Sequence, residues 1–162
     1  YNMFNNYITG ISETDDDLGD LVAFFREKSE PVILVFYGDH RPASGENNIM
    51  YENLGISSTG DEAPFNYYAV PYVFWGNDSA KSALNSDITG DGPTISAQFI
   101  IPELLSATNL TKGSAYNQYL QSVVESIPVI SPDFYIYNGK TTNILPNNLR
   151  IFRCQLLCDQ RH

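Results

Sequence analysis

Basic residues, histidine and cysteine are all scarce in this 162-residue chain, and each shortage narrows what it can do. Nine Lys and Arg stand against nineteen Asp and Glu, a formal charge of −10. A field of that sign repels phosphate backbones and anionic headgroups, so nucleic acid is excluded as a partner. Two cysteines cannot build a disulfide scaffold. Cys154 and Cys158 fall four apart in an expected helix, where Cβ atoms lie roughly 5 to 6 Å apart, beyond the ~3.5 to 4.5 Å of a bridge. Two reduced, mostly buried thiols are expected. Long apolar runs are missing as well: Val32 to Phe36 and Ala69 to Trp75 reach about half or less of the ~18 residues a membrane span needs. No charged and apolar leader opens the sequence at Tyr1 to Phe4, which reads as a start inside a longer protein. Neither a Gly-rich phosphate loop, nor a Gly-x-Ser-x-Gly elbow, nor a Cys-His pairing is found.

What is present suits one compact unit, with 43% hydrophobic and 13% aromatic residues. Ile8, Ile11, Leu18, Leu21, Val22 and Phe25 recur at helical steps, with Glu13, Asp16, Asp17 and Asp20 largely between them, predicting a helix over about 4 to 28. Ser29-Glu-Pro31 ends it. The unbroken run Pro31-Val-Ile-Leu-Val-Phe-Tyr37 predicts a strand covered on both faces, the αβ half of a doubly wound sheet. Residues 41 to 66 read as loop with a short helix near Ile49 to Leu54. Tyr67 to Trp75 is a second strand, placed at an edge or a bulge by Pro71. Thr94 is the expected cap of a helix through Ile95, Phe99, Ile100, Leu104 and Leu105, kinked at Pro102. Further expectations are a helix over Ser114 to Glu125, a hairpin from Phe134 around Asn138-Gly139 to Ile144, and a last helix over Asn147 to Cys158. The class is α/β, with flanking helices and a small C-terminal antiparallel hairpin annex.

Asp39 and His40 form the sharpest polar feature, because they follow Gly38 directly at the carboxyl end of the apolar strand, where ligands of open α/β sheets gather. A carboxylate and an imidazole are good ligands for Mn²⁺ or Zn²⁺. The bland alternative is a turn in which Asp39 caps an amide and His40 is merely exposed. Two ligands do not complete a metal site, which needs at least three protein groups. His162 is terminal, where disorder rather than chemistry is expected. Asp15, Asp16 and Asp17 point different ways on a helix and read as a solvated face. Asp87, Thr89, Asp91 and Gly92 resemble the start of a calcium loop, but Gln98 stands where a bidentate Glu is required, so a Gly-rich turn is expected. Phe65, Tyr67, Tyr68, Tyr72, Phe74 and Trp75 read as strand side chains alternating into a core rather than as a glycan groove.

Several segments taken together resemble the carboxyl-terminal part of the lipoteichoic acid synthase and phosphoglycerol transferase family, within the alkaline phosphatase and sulfatase superfamily. Tyr7 to Leu21 is similar to the family's helix before the metal strand, and Pro31 to Pro42 to the metal strand and its Gly-Asp-His loop. Val70 to Asn77, Ile95 to Leu105 and Leu149 to Asp159 are similar to later segments, the last with Cys154 and Cys158 as substitutions. The resemblance implies a sulfatase-like portion over 1–162, its α/β part at 1–130 and the hairpin and closing helix at 131–162. It implies a divalent cation, most often Mn²⁺, with Mg²⁺ or Zn²⁺ as alternatives, bound by Asp39 and His40 together with an upstream Glu and an upstream nucleophilic Thr. Phosphatidylglycerol is the implied donor, diacylglycerol the leaving group, and a glycan or polyglycerol phosphate the acceptor, through a glycerophospho-threonine intermediate. The resemblance carries no catalytic nucleophile and no substrate-binding residue onto this chain, which is therefore expected to be inactive alone and to bind metal weakly or not at all.

The same resemblance places the intact enzyme on the extracytoplasmic face of a bacterial membrane, touching the bilayer only through helices preceding this part. A sulfatase or a phosphoethanolamine transferase would use the same Asp-His pair and differ in the nucleophile. A noncatalytic extracellular binding module is the alternative of another class, and convergence or splaying of Asp39 and His40 discriminates it. A partial domain exposes sheet surface, so self-association is expected.

Overall fold

The computed structural model describes residues 2–42, 49–57, 60, 68–110, 114–131 and 134–144. Two compact units divide at 89/90. In the first, helix α1 (Asn2–Arg26) ends close to where Ser29-Glu-Pro31 predicts, since Pro disfavours helical backbone in the residue before it. Near that end Phe24 and Phe25 meet edge-on at 5.1 Å, and the Lys28 ammonium lies 4.1 Å from the Phe24 ring centroid. Much of the apolar stripe of α1 is uncovered, with Ile8, Ile11, Leu21 and Phe24 between 44% and 56% exposed.

Strand β1 (Ile33–Tyr37) pairs antiparallel with β2 (Tyr72–Gly76), in a register that sets Ile33 opposite Gly76 and Tyr37 opposite Tyr72. Helix α2 (Ile49–Asn53) lies on the connection, as expected, and α3 (Asp78–Leu84) follows β2. Two expectations need correction. Among the described residues β1 has no parallel neighbour and is only partly buried, because an unbroken apolar run records burial tendency and says nothing of the direction of the paired strand. Pro71 lies just before β2 rather than within it, which keeps the missing N–H out of the ladder.

Asn77 ties this unit together. Its side chain is 1% exposed, and its Oδ1 accepts from Val32 N–H at 3.1 Å and from Ala80 N–H at 2.9 Å, the latter capping α3. Its Nδ2 donates to the Phe25, Lys28 and Glu30 carbonyls at 3.2, 3.2 and 2.8 Å. The Asn77 N–H continues the β1 contact to Val32 O at 3.1 Å. One carboxamide thus joins the exit of α1, the entry of β1 and the start of α3. Burial also removes Asn77 of the Asn77-Asp-Ser79 triplet from glycosylation in the folded chain.

In the second unit a 3₁₀ turn (Ala97–Phe99) runs into α4 (Ile100–Ala107), followed by α5 (Ala115–Val124) and a meander of β3 (Val129–Ile130), β4 (Tyr135–Tyr137) and β5 (Lys140–Thr142). Phe99, Leu120, Val123, Ile127 and Tyr135 make its core, so the hairpin shares its core with the preceding helices. Asn138 and Gly139 take φ of 47° and 74°, the left-handed pair that a tight hairpin turn demands. Ser114 caps α5 as its position predicts, accepting from Asn117 N–H at 3.2 Å. Thr94 is not the cap of its helix, which Ser96 precedes. Ser96 instead grips β3, accepting from Ile130 N–H at 2.8 Å and donating to Ile130 O at 3.0 Å. Pro102 causes no break, because it occupies the first turn of α4, where an N–H has no partner within the helix. The closing helix, Cys154, Cys158 and His162 lie outside the described residues.

Asn77→Ala is expected to lose about 3 kcal/mol or more by leaving buried carbonyls and amides unpaired. Asn77→Asp is expected to be no better, since an oxygen then faces three carbonyl oxygens; chemical denaturation of both variants checks this. Burial, then the neighbouring Tyr116, pushes the Tyr119 phenol above its ordinary 10.0. The folded state therefore holds this proton more tightly than the unfolded chain, a contribution complete below the unfolded value and lost as pH rises through the folded one. Thermal stability should fall on the alkaline side of pH 10.0, and by less in Tyr119→Phe.

Candidate functional site

Beyond Tyr37 the β1 chain makes a tight exit. The Gly38 N–H donates to Pro71 O at 3.0 Å, extending the contact to the segment that enters β2. A Cβ on Gly38 would stand 2.9 Å from the Val70 Cβ, a separation real carbons do not tolerate, so the approach of these two backbones requires glycine. On the far side, the hydroxyl of Tyr51, a residue 5% exposed on α2, donates to the Pro42 carbonyl at 2.6 Å. Between these two ties lie Asp39, His40 and Arg41.

Asp39 and His40 converge. The His40 N–H donates to Asp39 Oδ1 at 2.8 Å, and His40 Nε2 lies 3.5 Å from Asp39 Oδ2. The imidazole Nδ1 is 2.8 Å from the Arg41 carbonyl oxygen. A carbonyl only accepts, so Nδ1 carries the proton and a neutral ring keeps its lone pair on Nε2. Nε2 and Oδ2 are thereby brought near one another, both on side chains open to water. Two atoms each ~2.1 Å from a tetrahedrally bound ion lie ~3.4 Å apart, close to the observed 3.5 Å. The separation matches two positions of a tetrahedral ion and is wider than the ~3.0 Å between adjacent positions of an octahedral one such as Mn²⁺ or Mg²⁺, so the side chains would have to close slightly on the latter; the Arg41 carbonyl is the outer partner of the imidazole. Both side chains are largely exposed, at 77% for His40 and 84% for Asp39.

Other sequence candidates are not gathered. Asp15, Asp16 and Asp17 are exposed along α1, and Asp87, Thr89 and Asp91 are exposed in their turn. Among the described residues no group of three His, Cys, Asp or Glu forms a metal cluster. Tyr72 and Phe74 pack at 5.4 Å on β2 as neighbours in a strand, and Tyr68 is 53% exposed; Phe65 and Tyr67 lie outside the described residues. The sequence reading missed Tyr51, Val70 and Arg41, whose roles come from contacts across the chain. Gly38→Ala is expected to destabilise by about 1 to 3 kcal/mol through this overpacking. Because the contact is with Val70, adding Val70→Gly should make the double variant lose less than the sum of the two singles, a coupling that denaturant unfolding measures.

The sequence model of the sulfatase family, described as Sulfatase, matches residues 2–110. No curated protein and no solved structure matches the chain significantly. The matched stretch carries α1, β1, the Gly38-Asp39-His40 exit and β2, the same elements that bring a carboxylate and a bare imidazole nitrogen to one point. Enzymes of the superfamily generally use a divalent metal. On that match and that geometry, the chain belongs to the sulfatase family of the alkaline phosphatase and sulfatase superfamily.

Proposed function

We propose that the chain is the Asp-His-bearing part of an extracytoplasmic phosphoglycerol transferase of the lipoteichoic acid synthase type. The observation that carries the metal reading is the convergence of His40 Nε2 and Asp39 Oδ2 at 3.5 Å with the ring proton taken up by the Arg41 carbonyl. A divalent cation, Mn²⁺ in this reading, supplies Lewis acidity that neutralises charge on a phosphoryl group and activates a hydroxyl. Asp39 contributes a hard anionic oxygen, which suits Mn²⁺ and Mg²⁺, and His40 an imidazole nitrogen held in one orientation. The reading assigns the nucleophilic Thr and a ligating Glu to sequence outside this chain. Phosphatidylglycerol is the donor, whose phosphorus–oxygen bond to diacylglycerol breaks, and a glycan or polyglycerol phosphate accepts the phosphoglycerol.

The choice of phosphoglycerol over phosphoethanolamine or sulfate rests on the resemblance of the Tyr67 to Trp75 strand and the Leu149 to Asp159 closing segment. A noncatalytic module is the alternative of another class, and the amide cap of Asp39 on His40 and the exposure of both side chains are compatible with it; metal affinity of the intact protein separates the two. The uncovered apolar side chains of α1 fit a part that rests against further sequence in the intact domain. Alone, the 162-residue chain should then self-associate; a sharply monomeric sedimentation profile at high concentration would count against this.

The intact native protein in membranes, given Mn²⁺ and labelled phosphatidylglycerol, should release diacylglycerol, and Asp39→Ala or His40→Ala should bring release to the blank. Release of label from phosphatidylethanolamine or of sulfate from an aryl sulfate instead would move the assignment to the corresponding relative. The 162-residue chain alone should show no turnover on any of the three; Mn²⁺-dependent turnover by it that Asp39→Ala abolishes refutes the assignment of the nucleophile elsewhere.

A further inference from the structure

Arg41 is the one charged residue of the β1 exit that the chemistry above uses only through its main chain. The residue as a whole is intermediate in exposure, and its side chain makes a directed bond at the surface: Arg41 Nε–H donates to the Ala69 carbonyl at 2.8 Å, across 28 residues. The Arg41 carbonyl meanwhile accepts the His40 Nδ1–H at 2.8 Å. The same residue therefore holds the imidazole with its backbone and is itself held by its side chain. The neighbouring ties, Gly38 N–H to Pro71 O and Tyr51 hydroxyl to Pro42 O, act on the flanks of the turn. Among the described residues, the Nε bond is the tie that falls on Arg41 itself, between those two.

We propose that Arg41 is a positioning residue for the Asp39–His40 pair: its Nε–H, anchored on the Ala69 carbonyl, fixes the main-chain oxygen that selects the Nδ1–H tautomer and turns Nε2 toward Asp39. The proposal deepens the reading of the pair as ligands of a divalent cation, and rests on it for that ligand. Imidazole orientation by a partner beyond the ligand itself ordinarily changes metal affinity about 10- to 100-fold. The seat of the effect is the donor on Cδ, not the positive charge.

Two substitutions separate donor from charge. Glutamine carries an N–H-bearing nitrogen on Cδ, the place where Arg carries Nε, whereas methionine has a stem of similar length and no donor. Arg41→Gln and Arg41→Met are made in the 162-residue chain with His162→Gln throughout, which leaves His40 as its sole imidazole. Nitrogen-15 spectra in mildly alkaline, metal-free solution then report the ring tautomer. The Nδ1–H form should predominate in the parent chain and in Arg41→Gln, and give way in Arg41→Met to the mixture of a free imidazole. With Mn²⁺ alone as the probe, broadening of the His40 ring protons should require about 10- to 100-fold more ion in Arg41→Met and a similar amount in Arg41→Gln.

Retention of the Nδ1–H form in Arg41→Met, with the β1–β2 cross-strand signals intact, overturns the proposal, and so does its loss in both variants. If Arg41→Met does not fold, the parent chain decides: the Arg41 Nε proton should exchange slowly with solvent, and exchange as fast as a free guanidinium overturns the anchor. Mn²⁺ that broadens nothing in any chain, alongside the expected tautomer pattern, leaves the positioning role of Arg41 standing and shows that Asp39 and His40 hold no ion without further ligands.

Discussion

A single buried carboxamide holds the first unit in register. Asn77 reaches five main-chain groups with one side chain: its oxygen accepts from two amides, and its two N–H bonds are shared among three carbonyls. The groups come from the end of α1 and the adjoining entry of β1, 45 to 52 residues before Asn77, and from the first turn of α3 beside it. Helix ends and strand entries leave amides and carbonyls without partners, and burying them unpaired is costly. Asn is suited to this task because it presents both a two-lone-pair oxygen and two N–H donors; Asp lacks the donors and Ala lacks both.

The β1–β2 ladder transmits that anchoring to the opposite end of the strand. Register from Ile33 opposite Gly76 to Tyr37 opposite Tyr72 delivers Gly38 against Val70 and Pro71. The absence of a Cβ at Gly38 lets the two backbones meet, and the chain then turns through Asp39, His40 and Arg41 under ties from Ala69 and Tyr51. Asp39 and His40 are highly exposed, so packing does not hold them. Directed hydrogen bonds to the main chain do, from the His40 amide to Asp39 Oδ1 and from the imidazole Nδ1 to the Arg41 carbonyl. Such an arrangement suits a group that must bind and release a charged partner without first being dug out of a core.

The second unit rests on a different principle. Phe99, Leu120, Val123, Ile127 and Tyr135 exclude water among helices and hairpin together, and apolar burial of this kind is indifferent to direction. Specificity comes from two local devices, the Asn138-Gly139 turn and the Ser114 cap, and from one long-range tie, the two-way grip of Ser96 on Ile130.

Local chemistry was legible from the amino-acid order. Periodicity marks α1 and α5, Ser29-Glu-Pro31 marks the stop of α1, Asn138-Gly139 marks the hairpin, and Gly38-Asp39-His40 after an apolar run marks the candidate site. Each depends on residues within a few positions of one another, where side-chain spacing and backbone preference act directly. The antiparallel direction of β2, the true place of Pro71 outside its ladder, the reach of Asn77 and the anchor of Arg41 on Ala69 were decided by tertiary structure alone. In each of these the partner is a backbone carbonyl or amide remote in sequence. Every residue carries the same backbone groups, so no side-chain pattern can announce which of them will be met.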